Sequence, residues 1–96
     1  MQHYILLANW TEQGIKNIKD SPARVEAARQ LAKSMGCVMG DFYMTAGATD
    51  MVWMFEAPDD DAVAKFTLTL AMKGNVRTTT LKAFKEADYA RIIHSL

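Results

Sequence analysis

The segment that most constrains the fold is Met51-Val-Trp-Met-Phe-Glu56, with five large apolar side chains in six residues. A run this short, rich in β-branched and aromatic residues and bounded by Gly47 and Pro58, is a strand rather than a helix. Strand side chains alternate between two faces, so a strand without a polar set must be covered on both. One cover is the chain's own helices. The second has to come from elsewhere, and another copy of the chain is the expected source. Trp53→Glu and Phe55→Glu are then expected to break such a pair by setting a charge against a buried face.

The other segments can be placed around this strand. His3–Trp10 is a first strand, again apolar on both alternating sets. Thr11 is an N-cap for a short helix with Ile15 and Ile18 inward, weakened by Gly14 and ended by Asp20-Ser21-Pro22. Ser21 caps a second helix, which runs to about Met35 with Val25, Ala28, Leu31, Ala32 and Met35 on one face. Gly36 stops it. Cys37–Ala46 is a second strand, with a bulge expected at Gly40-Asp41. Its alternation puts Val38, Phe42 and Met44 on one side and Cys37, Met39 and Tyr43 on the other. Gly47–Asp50 supplies a tight hairpin connection into Met51–Glu56.

Asp59, Asp60 and Asp61 place carboxylates at the start of a third helix with Val63, Phe66, Leu70 and Met72 or Lys73 inward. Asn75–Phe84 is a fourth strand by its threonines and alternation. Glu86–Ile93 is a last helix expected to pack Tyr89, Ile92 and Ile93 on the body. This order predicts a ferredoxin-like α+β fold: βαββαβ with a four-stranded antiparallel sheet and helices on one face.

Composition narrows the class. The 96 residues fit a single domain, 1–96, and a domain of that size buries only about 60 to 65% of its unfolded surface, so it gains much from pairing. Lys plus Arg and Asp plus Glu are 11 each, which gives no basic balance to suggest nucleic acid. The apolar runs Tyr4–Ala8 and Met51–Phe55 fall far short of a membrane span of about 20 residues. The N-terminus lacks the pattern of a secretory signal, and the single cysteine, Cys37, has no internal disulfide partner. The expectation is a cytoplasmic protein that meets neither membrane nor nucleic acid.

Several segments resemble the GYD-domain family of small bacterial and archaeal proteins: Tyr4–Gly14, Ile18–Pro22, Glu56–Asp60, and Gly74–Leu81 followed by Ala83-Phe84. The resemblance covers nearly the whole chain. It implies a dimeric α+β barrel, similar in shape to muconolactone isomerases and antibiotic-biosynthesis monooxygenases, and it implies no established activity. The motif that names the family ends in Tyr-Asp, whereas this chain has Thr49-Asp50. Asp50 keeps a turn-forming role; a role for a tyrosine ring there is lost.

The residues offer few reactive constellations. His3 and His94 stand far apart, each without a carboxylate at ligand spacing, so no metal site is indicated. Cys37 reads as a small buried hydrophobe or as a nucleophile without an activating neighbour. Asp59–Asp61 serve as caps or as a cation site. The strand methionines Met39, Met44, Met51 and Met54 are core filler or an adaptable pocket lining. A candidate ligand pocket within the barrel comprises Asn9, Trp10, Tyr43, Trp53, Arg77 and Thr79, with Arg77 either turned inward onto an anion or paired at an edge.

Three functions are open at this level. The first is a homo-oligomeric protein, a homodimer or higher, binding a small molecule in or beside the barrel and needing no cofactor. The second is a cofactor-independent oxygenase or isomerase, for which neither Asp41 nor Glu56 has a visible partner. The third is a haem-handling protein with His3 or His94 as ligand.

Overall fold

The computed structural model describes residues 1–96 as β1 (Gln2–Trp10), α1 (Glu12–Lys16), a 3₁₀ turn (Ile18–Asp20), α2 (Ser21–Ser34), β2 (Val38–Met44), β3 (Met51–Ala57), α3 (Asp60–Met72), β4 (Val76–Ala83) and α4 (Glu86–His94). The strands form one antiparallel sheet in the order β2-β3-β1-β4, the ferredoxin-like α+β arrangement. The two most apolar strands, β1 and β3, are therefore central. No helix is long and apolar enough to cross a membrane.

The core lies between one face of the sheet and helices α2 and α3. Tyr4, Leu6 and Ala8 of β1 and Met51, Trp53, Phe55 and Ala57 of β3 pack against Ala28 and Ala32 of α2 and Val63, Phe66 and Leu70 of α3. Phe66 sits 4.6 Å from Phe55 and 6.5 Å from Trp53, ring centroid to ring centroid. Full burial of side chains such as Leu6, Phe55 and Phe66 contributes about 1.5 to 3 kcal/mol each, and every aromatic pair about 0.5 to 1.5 more.

Local chemistry sets the helix ends. Thr11 Oγ1 accepts the Gly14 N–H at 3.1 Å, and Asp59 Oδ1 accepts the Ala62 N–H at 2.9 Å, so the caps expected at the starts of α1 and α3 are in place. Gly36 and Gly74, each one residue past the C-cap of α2 and α3 (Met35 and Lys73), have φ of 74° and 80°, the left-handed conformation that only glycine adopts cheaply. Gly14 has a different reason to be glycine. A Cβ there would lie 2.1 Å from the Asn75 carbonyl oxygen, because α1 is clipped tightly to the α3–β4 loop. The Thr11 N–H bonds Asn75 O at 3.0 Å, the Thr11 hydroxyl donates to Gly74 O, and Gln13 Nε2 donates to Lys73 O at 3.0 Å.

Several expectations need correction. Ile15 and Ile18 are exposed, since α1 has a single buried residue, Gly14, and is held by polar contacts instead. Ser21 is not an N-cap: it is already helical, and its buried hydroxyl accepts the Trp10 indole N–H at 3.2 Å. Met72 and Lys73, the two alternatives for the last inward position of α3, are both exposed, and the inner stripe ends at Leu70. The bulge between Met39 and Phe42 occurs as expected, but it reverses the alternation of β2 midway. Met39 and Phe42 pair with Phe55 and Trp53 on the helix side, while Val38 and Tyr43 pair with Glu56 and Val52 on the other. Arg29 of α2 fixes this bulge by donating to Met39 O and Gly40 O at 2.9 and 3.0 Å. Finally, α4 does not pack on the body: none of its residues is buried, and Tyr89 and Ile93 are 58% and 46% exposed.

Candidate functional site

Directly opposed residues of an antiparallel pair share a face. The register therefore lists what lies on the side of the sheet away from the helices. One row runs Tyr43, Val52, Leu7, Thr79; the next Met54, Ile5, Leu81; the next Val38, Glu56, His3, Ala83. Asn9 and Arg77 stand opposite each other at the far end. Ile5, Leu7, Val52 and Met54 are half-buried, and Val38, Tyr43 and Leu81 are exposed. This is an apolar surface with polar groups at its ends.

At one end the face deepens into a hollow of about 380 Å³ bordered by His3, Ile5, Asp41, Met54, Glu56 and Phe84. Within it His3 Nδ1 and Glu56 Oε1 are 3.2 Å apart, both partly exposed. A carboxylate in that position orients the imidazole ring. Glu56 thus does have a partner, and His3 does have a carboxylate beside it. The pair was not visible in the sequence because the β1–β3 register joins strands separated by two helices and β2, and no hairpin turn announces it.

The six residues expected to form one pocket are divided by the sheet. Asn9, Tyr43, Arg77 and Thr79 belong to the open face, while Trp10 and Trp53 lie on the helix side. Asn9 and Trp10 instead clamp the β2–β3 connection. The Asp50 N–H donates to Asn9 Oδ1 at 2.7 Å, and the Trp10 N–H donates to Asp50 Oδ2 at 3.0 Å. Asp50 is therefore a turn former with a carboxylate anchored to the end of β1, and the Thr49 carbonyl accepts from the Thr45 hydroxyl. Arg77 is exposed on the edge strand β4, as in the edge alternative, but it makes no ion pair there. Trp53 is 2% exposed and its Nε1 has no acceptor.

Two further groups of titratable residues flank the helix side. The Tyr4 hydroxyl donates to Asp60, and Lys82 lies 3.5 Å from that carboxylate and 5.0 Å from the Tyr4 ring centroid. Burial, then the bond to Asp60, pushes the phenol up to about 12, while that same hydrogen bond, followed by Lys82, holds the Asp60 carboxyl below its ordinary value. Such a phenol is a fixed donor rather than a base. Burial also pushes the Cys37 thiol up, which fits a packing role and removes thiolate character. The Asp59 and Asp60 carboxylates are occupied by capping and by Tyr4; no group of three or more His, Cys, Asp or Glu converges.

The strongest candidate surface is thus an apolar face with one acid–base pair, suited to docking more than to turnover. A family model described as GYD domain matches residues 4–93. A curated protein of Thermus thermophilus, named glutamine synthetase and cystathionine beta-lyase binding protein, is 34% identical over 89 residues, covering 92% of this chain and 94% of its own. No solved structure gives a significant match.

Proposed function

The chain belongs to the GYD domain family, and on that premise we propose that it is a homodimeric, cytoplasmic protein-binding module without chemistry of its own. The observation that carries this reading is the open face centred on Ile5, Leu7, Val52 and Met54. An apolar patch of several hundred Å² on a soluble protein commonly marks an interaction surface. Four strands about 4.8 Å apart and seven residues long present roughly 450 Å² of projected face. A stable pair buries about 800 Å² per partner. The unpacked apolar side of α4, with Tyr89, Ile92 and Ile93, supplies further area next to Phe84 at the border of the same face. In this reading two sheets meet face to face and each α4 lies across the other copy.

The Thermus relative is named for binding two enzymes, which supports protein partners over a small-molecule ligand. We extend to this chain the partner class, namely metabolic enzymes of its own organism, with glutamine synthetase and cystathionine beta-lyase as the first to test. Immobilised dimer is expected to retain one or both purified enzymes in a saturable way. Absence of retention of either would remove this partner assignment while leaving the dimer to be tested by light scattering.

The hollow around His3 and Glu56 favours a second reading, in which the closed barrel holds a small molecule. Its volume falls at the low end of ligand pockets, about 300 to 1,000 Å³. Glu56→Gln would then abolish uptake of the small molecule, measured by calorimetric titration.

A further inference from the structure

A second cavity, of about 70 Å³, lies on the helix side of the sheet, where α2, α3 and the start of β4 converge. Its lining grades in character. Ala28, Met51, Trp53 and Leu70 are buried and apolar, whereas Arg24 is half-buried and Lys73 exposed. Among its eleven lining residues are these two cations and no carboxylate. The Arg24 guanidinium is held in place by the carbonyls of Asn17 and Gly14 at 2.9 and 3.2 Å, and Lys73 makes no ion pair. An apolar floor with two cations and no carboxylate among its lining residues matches an anion that carries a short hydrocarbon tail.

We propose that this cavity is a binding site for a small amphiphilic carboxylate, with its tail against Ala28, Met51 and Leu70 and its carboxylate toward Lys73 and Arg24. The volume is about half that of a dry cavity of roughly 150 Å³ that admits benzene, which limits the tail to about three or four carbons. A ligand that small binds with a Kd of about 1 mM. The inference is independent of the docking reading, because cavity and open face lie on opposite sides of the sheet.

The test is a titration of the full chain with sodium butyrate, followed by amide, methyl and indole NMR shifts, beside matched titrations with neutral butyramide and cationic butylamine. Saturable shifts at Ala28, Met51, Trp53 and Leu70 with butyrate alone are expected. Lys73→Gln should weaken binding roughly threefold, the size of an exposed charge pair, and Ala28→Leu should abolish it by filling the space. Lys73 lies on the surface, so its variant decides the matter even where Ala28→Leu disturbs folding. No saturable shift, an equal response to butyramide, or shifts confined to Ile5 and Met54 would each overturn the assignment.

Discussion

Tyr4 and Asp60 are 56 positions apart, yet their hydrogen bond gives the molecule two pH limits of opposite sign. The folded phenol keeps its proton up to about 12, against 10.0 for a free phenol. Its contribution to stability is therefore whole below pH 10 and is lost as pH rises through the interval to about 12. The Asp60 carboxyl is lowered on folding, so its contribution is present above the ordinary carboxylate range and is lost as pH falls below it. Tyr4→Phe should flatten the alkaline fall of Tm and bring the Asp60 titration back toward its usual range by NMR; an unchanged alkaline slope would show that the bond does not couple to folding.

Gly14 and Trp53 make separable predictions at the same scale. Gly14→Ala forces α1 away from Asn75, at an overpacking cost of about 1 to 3 kcal/mol. For a domain of this size that is a fall in Tm of at least about 4 °C, measurable by calorimetry. Trp53→Phe loses ring volume but also removes an indole N–H that has no acceptor, whose burial costs about 1 to 3 kcal/mol. It should cost much less than Trp53→Ala, for which about 3 to 5 kcal/mol is expected; equal losses in denaturant titrations would contradict this.

Among the elements, α4 and β3 would carry the contact in the pair proposed above. Alternation along β3 makes Val52 and Met54 the outer residues and Trp53 and Phe55 the inner ones. The charge expected to break a pair therefore belongs at 52 or 54. Val52→Glu should give a folded monomer by light scattering and circular dichroism, whereas Trp53→Glu should unfold the chain. Removing residues 85–96 should weaken the pair and leave the melting of the monomeric core unchanged, because nothing in α4 is buried within its own chain.

These elements also show how far residue patterns reach. The strands, the caps at Thr11 and Asp59 and the stops at Gly36 and Gly74 follow from local rules, and so does the two-sided apolar character of β1 and β3. Face assignment in β2 did not follow, since one extra residue at Gly40-Asp41 exchanges the sides and only the partner strand reveals where. The six-residue pocket is split for two reasons: adjacent Asn9 and Trp10 fall on opposite faces by alternation itself, and parity does not say which face of a doubly apolar strand the helices choose. Trp10 and Trp53 went to the helix side and Asn9, Tyr43, Arg77 and Thr79 to the other. The His3–Glu56 and Tyr4–Asp60 contacts depend on long-range register and crossover packing, which no local spacing encodes.

At the level of the whole molecule, the sheet separates two surfaces with different chemistry: a broad apolar face and, on the other side, a small cavity lined in part by Arg24 and Lys73. On the two proposals above, the protein would bind a large partner and a small solute at once. If butyrate occupancy and enzyme retention are coupled, each must change the affinity for the other by the same factor. Retention measured with and without saturating butyrate reads that factor directly, and a ratio of one means that the two surfaces act independently.

The sheet's two edges also differ. β4 keeps unbroken register with β1 over eight positions and leaves its outer backbone groups unpaired, while β2 is interrupted at Gly40-Asp41 and pinned there by Arg29. A straight edge can template another strand; a bulged one resists it. Lateral growth is consequently one-sided. Two chains joining β4 to β4 would present only bulged margins to a third, so the architecture carries its own stop against polymerisation into fibres.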